Sequence, residues 1–179
     1  MNAVLRPAPA PHHRPMTTAD LDNVMVIEVT AYAHPWTRGN FIDSLAAGYY
    51  SQLRHDADGA LIGYFVALPG FEETHLLNLT VAPAWQRQGH GQALLDLLAA
   101  WAHGRGDLAL VLEVRQSNTG ARALYERQGF MQVGSRRGYY PADRQQREDA
   151  VVMRRKVLGL GLGLGLGVRA AAGPVDALD

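Results

Sequence analysis

The stretch VAPAWQRQGHGQALLDLL, Val81 to Leu98, limits the possible folds more than any other part of the chain. An apolar run breaks at Pro83 and passes two glycines in three residues, Gly89 and Gly91. It resumes with Ala93, Leu94, Leu97, Leu98 and Trp101 on one helical face. A strand that bends into a helix in this way belongs to a layered α/β architecture. At the helix N-terminus the first backbone N–H groups lack intrahelical partners and the macrodipole favours negative charge, which suits a phosphate. A tight turn needs the same glycines, so the motif alone leaves both readings open. Two common phosphate loops fail here. Gly91 is followed by Gln92 and Ala93 instead of Lys and Ser/Thr, and Leu94 stands where a dinucleotide fingerprint needs its third glycine.

The flanking sequence fills in the layers. Thr17 or Thr18 caps a helix in which Leu21, Val24, Met25 and Ile27 recur at helical spacing, ending before His34-Pro35. Trp36 follows as an anchor, and Thr37 caps a second helix through Phe41, Ile42 and Leu45, stopped at Gly48. From Tyr49 the period changes to that of strands: YYSQLRH, LIGYFVAL and THLLNLTV form a meander with turns at Asp56 to Gly59 and at Pro69-Gly70. After the bend, a helix ends near Gly104, ALVLEV (Ala109 to Val114) is a buried strand, and Thr119 to Gln128 is a short helix closed by Gly129. MQVGSRRGYY and DAVVMRRKV supply two last strands. The pattern predicts a mixed α/β sheet with helices on both faces.

Residues 1–15, rich in proline, read as a flexible lead whose end enters the first strand, and 16–157 as one domain. The tail, 158–179, alternates leucine and glycine. It reads as disordered, the other reading being a strand added to the sheet edge or to a partner's groove. Lysine plus arginine equal aspartate plus glutamate at 17 each, so no global field draws a polyanion, and direct nucleic-acid binding is not expected. The chain has no cysteine, which excludes disulfides, thiolate metal sites and a cysteine nucleophile. Its seven histidines are scattered, so no metal site is expected. No apolar run is long enough to span a membrane, and the N-terminus lacks the pattern of a secretory signal, which leaves the cytoplasm as the expected location.

Two residues stand out chemically. Glu113 is flanked by Leu112 and Val114 in a core strand, where a carboxylate either faces solvent or has a role. Tyr125 in ALYE is either a core aromatic or a phenol placed to donate a proton.

Gln86-Arg87-Gln88-Gly89-His90-Gly91 fits the Q/R-x-x-G-x-G/A loop that binds acetyl-coenzyme A in GNAT N-acetyltransferases, and the preceding LTVAP resembles that superfamily's strand. Within it, IEVTAYAHPW (Ile27 to Trp36), LEVRQSNTGARALYERQGF (Leu112 to Phe130), RRGYYP (Arg136 to Pro141) and REDAVVM (Arg147 to Met153) resemble one branch. These are the bacterial enzymes that acetylate the N-terminal alanine of a small-subunit ribosomal protein. The resemblance covers Met16 to Lys156. It implies the GNAT fold, a mixed but mostly antiparallel sheet of six to seven strands, with acetyl-CoA as cosubstrate and an N-terminal peptide as acceptor. It also implies that Glu113 removes the amine proton through water and that Tyr125 protonates the coenzyme A thiolate. Leu79, Thr80 and Val81 would pair with the pantetheine arm, and the backbone of Arg87, Gln88, Gly89, His90, Gly91 and Gln92 would hold the pyrophosphate. Asn118 would contact the coenzyme, although a turn residue or helix cap fits it equally. Tyr139 and Tyr140 would line the peptide entrance, while Arg136 and Arg137 read as solvated edge charges. His90 departs from the family, which usually has an aliphatic residue there.

An α-amine with a pKa near 7.7 to 8.0 is roughly 10 to 20% neutral at pH 7, far more than a lysine near 10.4, so a water-relayed glutamate is base enough for it. Acetylation of a small amine or of lysine stays open, because loop and base are shared across the superfamily. The alternative of another class is a noncatalytic acetyl-CoA-binding or scaffolding module that uses its tail, against which the presence of both Glu113 and Tyr125 argues.

Overall fold

The computed structural model describes residues 10–142 and 146–157. The Leu-Gly tail, 158–179, lies outside them, as do the first nine residues. In chain order the elements are β1 (His12–Pro15), α1 (Leu21–Ala31), α2 (Arg38–Ala46), β2 (Tyr50–His55), β3 (Leu61–Pro69) and β4 (Glu73–Val81). They continue as α3 (His90–Arg105), β5 (Ala109–Arg115), α4 (Thr119–Arg127), β6 (Met131–Pro141) and β7 (Arg147–Lys156). The strands form one seven-stranded sheet in the order β1-β2-β3-β4-β5-β7-β6. Only β4 and β5 run parallel, so the sheet is mixed and mostly antiparallel, as expected.

The predicted elements form where their local chemistry asks for them. Thr37 caps α2 by accepting from the Asn40 amide at 3.2 Å, and Asn40 Oδ1 accepts from the Thr37 amide at 2.8 Å, a reciprocal capping box. A 3-10 turn, Thr18–Asp20, leads into α1, and α3 ends on Gly106, whose φ of 82° is a left-handed C-cap. The sheet begins at His12, earlier than the boundary at residue 16, because β1 is held by ladder pairing to β2 from His12↔His55 to Pro15↔Gln52. Tyr139 and Tyr140 lie in strand β6 and not in a loop.

Each face of the sheet carries its own core. Phe65, Leu94, Leu95, Leu98, Leu112, Tyr125 and Met153 pack together beneath α3 and α4. Leu21, Val24, Phe41, Leu53, Tyr64 and Val66 pack beneath α1 and α2.

A register shift in β4 decides which side chains go where. Val66 pairs with Asn78 and Ala67 with Leu76, so Leu77 is an extra residue, a β-bulge. Before the bulge Leu76 faces the α3/α4 core. After it Leu79 and Val81 face that core, while Asn78 and Thr80 point to the α1 side. The pairing of β4 with β5 stops at Leu76↔Leu112, although β4 runs on to Val81 and β5 to Arg115. Beyond that pair the two central strands diverge and leave a gap in the middle of the sheet.

Arg54 on β2 ties β1 to the start of α3. Its Nη1 lies 2.6 Å from His13 Nε2, and its Nε donates to His90 Nδ1 at 3.2 Å. Both imidazoles act as acceptors toward a cation, so both are held neutral. Burial and then Arg54 lower the pKa of His13 and of His90, and burial followed by Arg14 lowers that of His55. The unfolded chain takes up protons on these rings below the ordinary value of 6.5, whereas the folded chain resists. Their contribution is therefore intact above that pH and is lost as the pH falls beneath it. Thermal unfolding scans should show Tm falling steadily between about pH 7.5 and pH 5.5, and the slope should flatten in a His13→Gln, His55→Gln, His90→Gln variant. A Tm that does not change over that interval would contradict this description of the β1–β2 edge.

Candidate active site

The gap between β4 and β5 opens a cleft of about 330 Å³. It is lined from one side by Glu28 of α1, Tyr32 just past its end, His34, Trp36 and Asn78, and from the other by Ala121 and Tyr125 of α4. Leu79, Glu113, Asn118 and Tyr140 complete the lining. Glu113 follows Leu112 on β5 and, by strand alternation, projects opposite to Leu112 and Val114, which belong to the α3/α4 core. Tyr125 comes from that core, where it packs edge-on against Phe130. In an unbroken sheet these two side chains would sit on opposite faces. The divergence of β4 and β5 brings them to one cavity.

The predicted loop sits at the open end of β4. Arg87 (φ 63°) and Gly89 (φ 85°) both take left-handed backbone, which curls the chain ahead of His90, and no side chain caps α3. Curled backbone of this kind before an uncapped helix turns successive N–H groups toward one point, a cradle for an anion. Gly91 has a different reason: a Cβ there would lie 2.9 Å from Leu124 Cδ2, so the end of the Leu124 side chain on α4 would have to shift. The side chain of His90 turns away toward Trp85, at a ring-centroid distance of 5.7 Å, and toward Arg54. Leu79, Thr80 and Val81 lie on the stretch of β4 that β5 no longer pairs.

The other predicted residues are distributed as follows. Asn118 caps α4, accepting from the Ala121 amide at 3.1 Å, and also lines the cleft. Tyr140 donates to the Glu113 carbonyl at 3.1 Å, and its phenol pKa is pushed up to about 12 by burial and then by the Glu113 charge. Tyr139 is 41% exposed beside it and is not among the residues that line the cleft. Burial raises the Tyr125 phenol well above its ordinary value, so it is protonated at neutral pH and can donate. Arg136, read from sequence as a solvated edge charge, lies with its Nη2 3.2 Å from Glu113 Oε1.

The largest feature missed by sequence reasoning is Glu28, 1% exposed on the inner face of α1. Its Oε1 accepts from the Trp36 amide at 2.8 Å and from Asn78 Nδ2 at 3.2 Å, and its Oε2 accepts from the Tyr64 hydroxyl at 2.5 Å. The Thr80 hydroxyl lies 2.8 Å from Asn78 Oδ1 and 3.1 Å from the Tyr32 hydroxyl, which itself donates to the Leu79 carbonyl at 3.0 Å. One carboxylate thus fastens α1, the α1–α2 connection, β3 and β4 into a single wall of the cleft. The signal was present in the sequence: Glu28 falls on the buried stripe with Leu21 and Val24 at helical spacing.

A sheet opened at its centre, with an anion cradle at the mouth of the opening and a carboxylate facing a phenol across it, is the apparatus of an acyl-transfer enzyme. Residues 21–130 match the model of the acetyltransferase (GNAT) family, and the chain belongs to that family. Among curated proteins, it is 38% identical over 138 residues to the ribosomal protein bS18-alanine N-acetyltransferase of Escherichia coli strain K12, covering 77% of this chain and 92% of that one. It is 37% identical over 134 residues to the protein of that name from Haemophilus ducreyi, covering 75% and 92%. The crystal structure of the ribosomal-protein-S18-alanine N-acetyltransferase from Escherichia coli superposes with a TM-score of 0.77 at 35% identity, over 87% of this chain and 99% of that chain.

Removing the Glu28 carboxylate leaves three buried donors without an acceptor, and each unsatisfied group costs about 1–3 kcal/mol. Glu28→Ala should therefore lower unfolding stability in urea by about 3 kcal/mol or more. Glu28→Gln, which retains one acceptor oxygen, should cost less. Equal stability of Glu28→Ala and wild type would refute the role of this wall.

Proposed function

We propose that the protein transfers acetyl from acetyl-CoA to the N-terminal α-amine of a protein in the cytoplasm, the acceptor being a small-subunit ribosomal protein that begins with alanine. The observation that carries the reading is the meeting of Glu113 and Tyr125, from opposite faces of the sheet, in the gap between β4 and β5. The names of relatives 35 to 38% identical over most of the chain support the choice of acceptor. Residues 16–157, extended by the edge strand β1, form the catalytic unit.

In this reading the backbone of Arg87 to Gln92 receives the pyrophosphate, and the unpaired stretch of β4 at Leu79 to Val81 receives the pantetheine arm in the manner of an added strand. Asn118 borders the same cavity, and its side chain also holds the first turn of α4. The amine enters on the α1 side, past Tyr140, His34 and Trp36. Glu113, directly or through water, takes the proton of the α-ammonium. The freed nitrogen attacks the thioester carbonyl carbon, the C–S bond breaks, and Tyr125 gives its proton to the departing sulfur; the second proton that the nitrogen sheds as the amide forms returns Tyr125 to its phenol form. A phenol raised by burial is a weaker acid than a free thiol of about 8.5, but the same dry cleft raises the basicity of the thiolate. Tyr125 therefore stabilises the leaving group by a hydrogen bond first and completes the transfer as charge builds on sulfur.

Release of free coenzyme A is the assay. It is run with a peptide beginning with alanine, a peptide blocked at its N-terminus but containing lysine, and a polyamine. Release with the free alanine terminus alone is expected; release with only lysine or polyamine would overturn the acceptor assignment. Tyr125→Phe should lower kcat by roughly 10²- to 10⁴-fold. Glu113→Gln should slow the reaction most near pH 7 and less as the pH rises past the α-amine pKa of about 8, where the substrate deprotonates unaided. Wild-type turnover in Tyr125→Phe would remove that residue from the mechanism.

A further inference from the structure

We propose that Arg136 holds the Glu113 carboxylate in the free enzyme and is exchanged for the ammonium of the arriving acceptor, so that Glu113 passes from one cation to another. The inference rests on the assignment of Glu113 as the base.

Three features of the geometry support it. First, the pair is lopsided: the Glu113 side chain is 15% exposed and that of Arg136 is 56% exposed, so the carboxylate is fixed in the cleft while its partner reaches in from solvent. An ion pair with one end in water contributes little and can be replaced at small cost. Second, the guanidinium has somewhere else to rest. Its carbon lies 5.3 Å from the centroid of the Tyr139 ring, which is itself exposed. A cation over an aromatic face keeps a favourable contact when its carboxylate is taken by another group. Third, the backbone leaves room for the change. The β6–β7 ladder runs in register from Gly134↔Val152 to Arg136↔Ala150 and resumes only at Tyr140↔Glu148, with Gly138 between them at a φ of 55°. Arg136 sits at the edge of this break, so its side chain can swing without disturbing paired strand.

Glu113 would otherwise be an uncompensated carboxylate in the same cleft as the buried Glu28. A cation is needed at Glu113 in the free enzyme for the same reason that an ammonium is welcome there in the complex. The exchange also selects for an acceptor that arrives charged, as an α-amine at neutral pH mostly does. Arg136 is thus a positioning residue that competes with the substrate, and it makes no lasting contact with it.

The test is isothermal titration of an alanine-initiated peptide into the enzyme loaded with coenzyme A, where no acetyl is available to transfer, alongside turnover of the wild type with acetyl-CoA. Arg136→Ala removes the competitor, and the peptide Kd should fall roughly two- to fivefold, the range of an exposed pair. Arg136→Lys restores the cation and should restore the wild-type Kd, a rescue that a packing role for Arg136 would not give. In a Glu113→Gln background, Arg136→Ala should leave the peptide Kd unaltered, because there is no carboxylate to contest. An active wild type with a Kd that rises or does not move in Arg136→Ala overturns the exchange alone. A wild type that acetylates no peptide overturns the functional assignment and the exchange with it.

Discussion

The bulge at Leu77 is the constraint on which the rest of the structure depends. One extra residue in β4 shifts its side-chain alternation by one, turning Asn78 and Thr80 from the α3/α4 core to the α1 side, and it coincides with the point where β4 leaves β5. Had the strand continued in register, the sheet would have stayed closed. Glu113 would have lain on one face and Tyr125 beneath the other, with backbone hydrogen bonds between them. Because the pairing ends at Leu76↔Leu112, the stretch Leu79 to Val81 has no strand beside it on that side; side chains satisfy two of its carbonyls, Tyr32 that of Leu79 and Gln86 that of Val81, and any backbone group of the stretch left unpaired within a fold is costly unless something satisfies it. In the proposed function an extended ligand arm lying in the gap would do so, and the defect in the sheet would serve the binding of the acyl donor.

Holding a sheet open requires both walls to be stiff. On the α3/α4 side the stiffness comes from packing: Leu94, Leu95 and Leu98 are fully buried, and Gly91 leaves room for the Leu124 side chain of α4. On the α1 side it comes from hydrogen bonds centred on Glu28. A buried carboxylate is expensive unless its lone pairs are used, and here donors from three parts of the chain use them. An apolar residue could fill that volume, but it would not fix the direction of the Tyr64, Asn78 and Trp36 groups together. The polar wall therefore sets the shape of the acceptor side, at an energetic cost that the donors offset.

Most of the elements could be read from sequence because they depend on local patterns. Helical periodicity marked α1 to α4, alternation marked β2 to β4, and the glycines marked the ends. The resemblance carried by the Gln86 to Gly91 loop and by LEVR and ALYE pointed to the two residues that the fold brings together. What escaped notice was nonlocal or hidden by regular patterning. The run LLNLT alternates smoothly, and nothing in Leu77 distinguishes a bulged leucine from a paired one, because the bulge is defined by its partner strand. Glu28 sits beside Ile27, and a hydrophobic pattern counts the isoleucine as core and not the carboxylate. Strand β1 lies at the end of the proline-rich lead, where the sequence expects entry into the first strand, and its bounds are set only by the ladder to β2. The contact of Arg136 with Glu113 joins strands separated by β7 in the sheet and has no signature in either segment. Asn118 shows the opposite case: a cap and a residue of the cleft are the same side chain, so neither reading excludes the other.

The central claim is that the opening between β4 and β5 receives the acyl donor. Hydrogen–deuterium exchange of the full chain with and without acetyl-CoA tests it most directly. The account predicts slowed exchange in two segments: residues 78–81 on the unpaired part of β4, and residues 87–92 at the start of α3. Exchange in β1 and in the β1-facing part of β2 should not change. Protection elsewhere, with residues 78–81 unaffected under saturating acetyl-CoA, would contradict it.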